Sequence, residues 1–227
     1  MKLDALIPFL MVGGILAAIG LFVWWAHVME KKRREALAAM AEQMGLMYKQ
    51  DGDGELHQRI GGFSLFNQGH SRKLYNVILG ETDEVRIAIF DYQYTTGSGK
   101  HKTTHSQTVA SLESPRLHVP DFSMRPEGFF DKIGGVMGFQ DIDFEDHPEF
   151  SNAFVLKGPD EDRIRRFFNK DLLDFFAEQK GCMVEAESGR MIYYRKGRRK
   201  PDELQTVLSE AYQIYGMIVD RDASATA

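Results

Sequence analysis

An acidic segment at residues 141–149 is the densest group of side chains in this sequence that could do chemistry. It holds five carboxylates and His147 within nine residues, and carboxylates at this density repel one another unless a cation or a basic partner compensates their charge. Alternation along an extended chain places Asp141, Asp143 and Glu145 on one side. The calcium-loop template fails, because Asp146 holds its glycine position. A divalent metal, a basic partner and solvation all remain open for this segment.

Two further histidines, His101 and His105, lie four residues apart. On a helix this spacing lets two imidazoles share a zinc ion, but this pair lies in a turn that leads into a predicted strand. Combined with the acidic segment and its His147, either histidine would complete the ligand set of a metal-dependent hydrolase. We keep that enzyme as the alternative function. The main prediction assigns no metal, no cofactor and no catalytic residue.

The run Gly97-Ser98-Gly99-Lys100 looks like part of a phosphate-binding loop. That motif needs an earlier glycine where this chain has Tyr94, and a Ser or Thr after the lysine where this chain has His101. A helix must also follow the loop so that its N-terminus faces the phosphates, whereas a strand is predicted here. The run therefore predicts a hairpin turn.

A basic turn at residues 195–200 is the strongest positive feature outside the N-terminus. Three partners remain open for it: anionic lipid headgroups, the acidic segment, or solvent alone. Nucleic acid is not expected, because no aromatic platform or recognised binding motif accompanies the turn. The residues concerned are Arg195, Lys196, Arg198, Arg199 and Lys200.

The charges of the chain divide sharply between its N-terminus and the remainder. Five basic and two acidic residues lie in the first 34 positions, which leaves 23 basic and 31 acidic residues in the other 193. An acidic body disfavours non-specific attraction to nucleic acid, whose binding depends on neutralising phosphates. The positive charge of this chain is therefore local to its N-terminus.

The N-terminal stretch at residues 5–26 consists of 22 uncharged and largely apolar residues. As a helix it rises about 33 Å, enough to cross a hydrocarbon core of about 30 Å. Interfacial aromatic residues and a basic cluster end the stretch, as expected of a membrane span. A cleaved signal peptide is the alternative, but its positive charges precede its apolar region. The membrane-flanking residues are Trp24, Trp25, Lys31, Lys32, Arg33 and Arg34.

The basic cluster after the apolar stretch also predicts the orientation of the protein. By the positive-inside rule, the N-terminus lies outside and the body lies in the cytoplasm, with the helix in a bacterial inner membrane. The single cysteine, Cys182, agrees with a reducing compartment. Small residues four apart, Gly13 with Ala17 and Gly14 with Ala18, allow a homodimer through this helix.

The body reads as α+β, because period-two strands and amphipathic helices are segregated along the chain. Helix-forming residues 35–44 extend the first helix to a C-cap at Gly45. Strands are predicted at 74–79, 85–94, 104–112, 116–119, 153–157, 182–187 and 191–195. Helices are predicted from Asp160, at 172–179 and at 202–219, with a glycine-containing amphipathic stretch at 128–138. We divide the chain into an anchor (1–34), a juxtamembrane helix and linker (35–60), a body (61–220) and a disordered tail (221–227).

Several phrases together resemble a family of uncharacterised bacterial single-pass membrane proteins with one N-terminal helix and a cytoplasmic body. They are residues 90–100, 112–114, 122–128 and 141–150, and the resemblance spans roughly residues 33–216. It implies location and architecture but no activity. We therefore predict a membrane-anchored cytoplasmic interaction or scaffold module without catalysis, and no protein partner is identified by the sequence.

Overall fold

The computed structural model describes residues 7–128 and 139–225, with side chains for residues 11–128 and 139–219. Its helices are α1 (Ile7–Gln43), α2 (Gly54–Ile60), α3 (Pro148–Ser151), α4 (Glu161–Phe167), α5 (Lys170–Glu178) and α6 (Leu204–Ala225). Its strands are β1 (Met47–Lys49), β2 (His70–Glu81), β3 (Arg86–Thr96), β4 (Thr103–Glu113), β5 (Phe122–Pro126), β6 (Phe154–Lys157), β7 (Cys182–Glu187) and β8 (Arg190–Arg195). Short 3-10 turns lie at Ser64–Asn67, Gly99–His101 and Pro201–Glu203.

The strands form one antiparallel sheet in the order β1-β2-β3-β4-β8-β7-β5-β6 across the described ranges. The predicted α+β class and the meander of β2, β3 and β4 are confirmed. The hairpin of β7 and β8 turns where predicted, with φ of 41° at Ser188 and 81° at Gly189. Two successive residues with positive φ suit the right-handed twist of the flanking strands.

One predicted strand, at residues 116–119, is wrong. The chain makes a tight turn there, in which the Leu117 amide donates to the Ser114 carbonyl at 3.1 Å. Leu117 and Val119 are nevertheless buried, and this burial explains the strand-like pattern. The next strand is β5, which pairs with β6 and β7 rather than with β4.

Both faces of the sheet are covered, as the two-sided apolar pattern of β3 predicts. One face packs against α1, α6 and the helices around an aromatic cluster that includes Phe150, Phe168 and Phe176. The opposite face packs against α2 and the 3-10 turn at Ser64–Asn67. Phe66 of this turn contacts Phe90 and Tyr92. The sheet is thus the central layer of a three-layer body.

Helix α1 runs without a break from the apolar stretch into the body. Leu37 and Ala41 on its second half are at most 1% exposed and belong to the core. The helix ends at Gly45, whose φ is 68°; the Leu46 amide reaches the Ala41 carbonyl at 2.8 Å, as in a Schellman motif. The predicted C-cap is confirmed.

The remaining boundaries differ from the predicted ones in two places. Residues 35–60, expected as a juxtamembrane helix and linker, contain the buried end of α1, strand β1 and helix α2. Helix α6 continues to Ala225, into the segment expected as a tail. The amphipathic stretch predicted at 128–138 lies outside the described residues except for Gly128.

A carboxylate buried between β7 and the 3-10 turn is a structural feature of the second face. Glu185 is 3% exposed and accepts hydrogen bonds from the Ser64 amide (2.6 Å), the Ser64 hydroxyl (2.7 Å), the Leu65 amide (3.2 Å) and the Tyr194 hydroxyl (3.0 Å). Burial raises the pKa of this carboxyl and outweighs these hydrogen bonds, which lower it. Glu185 therefore holds the 3-10 turn on the sheet.

We predict that Glu185 makes the protein less stable as the pH rises. Its folded-state pKa lies above the usual 4.5, so its contribution is complete below that value and is lost as the pH rises through the raised pKa. Each unit of difference corresponds to about 1.4 kcal/mol. The free energy of unfolding, measured with denaturant from below pH 4.5 upward, should fall less steeply with pH for Glu185→Gln than for the native chain. Glu178→Gln, at an exposed position, should match the native profile; an equal slope for Glu185→Gln would disprove the assignment.

Candidate functional site at the junction of helix and sheet

The junction between α1 and the sheet is built on an ion pair between Arg33 and Asp91. Arg33 donates from Nε to Asp91 Oδ2 at 2.9 Å and from Nη2 to Oδ1 at 2.8 Å. The two side chains are 11% and 2% exposed. Asp91 alternates with Phe90 and Tyr92 along β3, so its carboxylate points to the face on which α1 packs. A bidentate pair of this kind fixes both distance and orientation.

Two side chains of neighbouring strands complete the coordination of Asp91. Asn76 Nδ2 donates to Oδ2 at 3.0 Å, and the Thr108 hydroxyl donates to Oδ1 at 2.9 Å. Asn76 has a φ of 53° at an irregularity in the pairing of β2 with β3, a conformation that asparagine tolerates better than most residues. With Arg33, these groups satisfy a carboxylate that would otherwise be costly to bury.

The same cluster binds the basic turn that precedes α6. Arg33 Nη1 donates to the Arg199 carbonyl at 2.5 Å, and the Arg199 amide donates to the Thr108 hydroxyl at 2.9 Å. Arg198 Nη1 donates to Glu30 Oε2 at 2.8 Å, and Asn76 Nδ2 reaches Glu30 Oε1 at 3.3 Å. We call Glu30, Arg33, Asn76, Asp91, Thr108, Arg198 and the Arg199 backbone the junction cluster.

The electrostatics of the junction cluster favour the charged form of Arg198. Burial lowers the pKa of Arg198, but the hydrogen bond to Glu30 and the charges of Tyr75, Glu30 and Asp91 together outweigh burial, and the net shift is upward. A cavity of about 370 Å³ opens beside the cluster, with Lys73, Gln93 and Ser106 in its walls. The cluster can therefore hold α1, the sheet and the basic turn together, and nothing in its geometry indicates bond-making chemistry.

The membrane-flanking residues divide into two groups. Trp24 and Trp25 are 64% and 55% exposed, as expected of side chains that face something other than the body. Lys31 and Lys32 are also exposed, and Lys31 lies 3.8 Å from Glu35. Arg33 points inward to Asp91, while Arg34 reaches the Glu30 carbonyl at 3.4 Å.

The basic turn also contains paired and unpaired side chains. Arg195 forms an ion pair with Glu210 at 3.3 Å and stands beside the Tyr193 ring. Arg198 is held by Glu30, whereas Lys196 and Lys200 are exposed at the surface. The acidic segment does not pair with this turn: in the described ranges, the ion-pair partners of Arg195 and Arg198 come from α6, α1 and β3.

The acidic segment and the histidines are not brought together. Among the described residues, no three His, Cys, Asp or Glu side chains lie close enough to hold a metal ion. Asp141 accepts from the Leu156 amide at 2.9 Å, and burial raises its pKa. His147 lies 3.6 Å from Asp174, while His105 stacks on Tyr94. Asp143 and Glu145 are exposed. The metal-dependent hydrolase therefore has no geometric support.

Sequence reasoning did not identify Asp91, Asn76 or Thr108. The signal for Asp91 was nevertheless present, because an acidic residue between Phe90 and Tyr92 in a strand covered on both faces requires a partner. That the partner is Arg33, 58 residues away, does not follow from local patterns. The predicted faces at Gly13 and Gly14 lie open, since an added Cβ meets nothing within 4 Å at either.

Comparisons with known proteins support the fold alone. No protein-family model matches the chain, and no curated protein does, so the family resemblance remains a prediction. One solved structure is similar: the crystal structure of the mycobacterial trehalose monomycolate transport factor A, with a TM-score of 0.57 and 14% identity. The likeness covers 80% of this chain and 90% of that one.

We predict that removing the Asp91 carboxylate is among the more damaging single changes. Asp91→Ala leaves Arg33 charged, nearly buried and unpaired, which should cost about 3–5 kcal/mol of unfolding free energy. Glu84→Ala, which breaks the exposed pair of Glu84 with Arg116, should cost less than about 1 kcal/mol. Denaturant unfolding of the full chain in detergent measures both.

A double-mutant cycle tests whether this loss comes from the ion pair itself. Arg33→Met combined with Asp91→Ala should cost less than the two single losses added together, because each single change leaves one charge unpaired. Strictly additive losses, or an Asp91→Ala variant as stable as Glu84→Ala, would show that the pair does not hold the junction.

Proposed function

We propose that this chain is a single-pass membrane protein in which α1 holds an α+β interaction module at the cytoplasmic surface of a bacterial inner membrane. The observation that carries the proposal is the division of α1 into two halves. Its first half is exposed and apolar, and its second half is locked into the sheet through Arg33, Leu37 and Ala41.

The exposed half of α1 supports a membrane anchor rather than a core helix. α1 is the one helix in the described part of the chain that is long and apolar enough to span a membrane, and none of its most apolar window is buried. Large side chains such as Leu16, Leu21 and Phe22 are 64–67% exposed. An apolar surface of this length needs a partner that is itself apolar, and a bilayer supplies one.

A cleaved signal peptide is the rival explanation of the same helix. A signal peptide has a shorter apolar region, a positive leader and a small-residue cleavage site. Here the helix continues unbroken past Trp25 to the residues that contact the sheet. Cleavage after the apolar stretch would have to fall inside this continuous helix, a few residues before Glu30 and Arg33 of the junction cluster. The basic cluster also follows the apolar stretch instead of preceding it, so we favour retention.

Two further parts of the proposal are the side of the membrane on which the body lies and the role of the body. The basic cluster after the apolar stretch favours a cytoplasmic body under the positive-inside rule. The similar solved structure is described as a transport factor. We infer that the module serves a membrane transport assembly through protein contacts. Self-association through Gly13 and Ala17 would place two bodies side by side, and it remains part of the proposal.

A cysteine-accessibility experiment tests both anchor and orientation. The native Cys182 is 0% exposed, and burial raises its pKa to about 12, so it should not react with maleimide in the folded protein. A new cysteine at the exposed Lys170 should be labelled by a membrane-impermeant maleimide only after cells are permeabilised. The protein should also stay with membranes in alkaline carbonate.

Each outcome bears on a separate part of the proposal. Labelling of the Lys170→Cys variant in intact cells would place the body outside the cytoplasm and refute the orientation. Release by carbonate would refute the anchor. The native chain, treated identically, shows whether Cys182 contributes background before and after denaturation.

A further inference from the structure

Basic residues of the body are concentrated at one end of the sheet. Three segments meet there: the start of β2 (70–75), the β3–β4 hairpin with the start of β4 (97–106), and the basic turn (195–200). They contain nine Lys or Arg residues and no Asp or Glu, whereas the other residues of 35–227 contain 14 basic and 31 acidic ones. We call these three segments the basic end. The body is acidic overall, but its basic end is strongly positive.

Direct contacts join the three segments into one surface. His70 Nε2 lies 3.1 Å from the Gly97 carbonyl, which ties β2 to the hairpin. Arg198 reaches the Tyr75 hydroxyl at 3.3 Å, and Gln107 forms an isolated bridge with Gly197. The basic end is therefore a fixed part of the fold.

The basic end lies on the side of the body from which the apolar half of α1 emerges. At one end of the contact between α1 and the body, Arg198 binds Glu30, four residues after the apolar stretch. At the other end, just after α1, Leu46 packs against Gly80, which pairs with Ile87 of β3. Moving back along α1 from Arg33 thus corresponds to moving along β3 towards its hairpin. From Asp91 to Thr96 the strand rises about 17 Å, and α1 from Arg33 back to Trp25 spans about 12 Å. The hairpin is long enough to reach the level of the interfacial tryptophans.

Several cations of the basic end are available for binding. Lys100, Lys102 and Lys196 are exposed and have no ion pair within the described part of the chain. Arg195 and Arg198 are instead held by Glu210 and Glu30. These lysines, from two different loops, can therefore meet a ligand without breaking an existing ion pair.

We infer that the basic end binds the headgroups of anionic phospholipids in the bilayer that α1 spans. This inference rests on the proposed anchor, because the anchor is what brings these loops to a lipid surface. Basic residues at that surface are attracted to anionic lipid, and screening confines the attraction to about 8–10 Å. The acidic groups beside the basic end include Glu30, which pairs with Arg198, and Asp51, which lines the cavity that also contains Lys73. The β3–β4 hairpin, whose residues 97–100 look like part of a phosphate-binding loop, is thus assigned as a lipid contact.

Energy transfer to labelled lipids tests the inference on the full chain. A donor dye at Ser98→Cys in the hairpin is specific because Cys182 is buried. Vesicles of phosphatidylcholine with about 30 mol% phosphatidylglycerol carry a trace acceptor on the acyl chain of one lipid or the other. Transfer to labelled phosphatidylglycerol should exceed transfer to labelled phosphatidylcholine. The excess should collapse in about 0.5 M NaCl.

Matched variants separate headgroup binding from general charge. Lys100→Ala, Lys102→Ala and Lys196→Ala in combination should abolish the preference for phosphatidylglycerol. Arg163→Ala, Arg166→Ala and Lys170→Ala in combination remove the same charge from exposed positions elsewhere and should retain it. Equal transfer to both lipids in the native chain, or a preference that survives the first triple substitution, would overturn the inference. Failure of the protein to float with vesicles would instead refute the anchor.

Discussion

The architecture depends on burying one carboxylate, Asp91, in the middle of the sheet. A buried carboxylate without partners is too costly for a protein of ordinary stability, so the fold must bring donors to it. Asn76 and Thr108 come from the two strands that flank β3, and Arg33 comes from the helix. The requirement to satisfy Asp91 therefore fixes where α1 crosses the sheet.

From this constraint follows the relation between the anchor and the body. The Arg199 carbonyl and the Glu30 carboxylate bind to the same cluster, so the basic turn is held beside the point where α1 leaves the body. Leu37, Ala41 and the cap at Gly45 extend the contact along two further turns of helix. In the proposed membrane protein, the bilayer, the hairpin and the basic turn consequently have a defined mutual position, in contrast to a module on a flexible tether.

Local patterns in the sequence were sufficient for most of the fold. Alternation of apolar residues predicts β2, β3, β4, β7 and β8, and Gly45 and Asp160 mark helix ends that the structure has. Local patterns fail where pairing partners are distant or elements are short. β1 and α2 are too short to show a clear period, so the sequence predicts a linker there. β5 is short and ends in Pro126, so alternation does not reveal it. Nothing in the neighbouring sequence distinguishes Arg33 from the basic residues beside it. Its role is visible only once β3 lies under α1.

A distance measurement between the apolar half of α1 and the body tests the central claim, that the junction cluster fixes one to the other. Spin labels at Phe22→Cys and Arg166→Cys occupy exposed positions on α1 and α4, and buried Cys182 needs no replacement. In membranes, double electron–electron resonance should give one narrow distance distribution, which broadens when Asp91→Ala removes the ion pair. A broad distribution in the native chain, or a narrow one that Asp91→Ala leaves unchanged, would contradict this account.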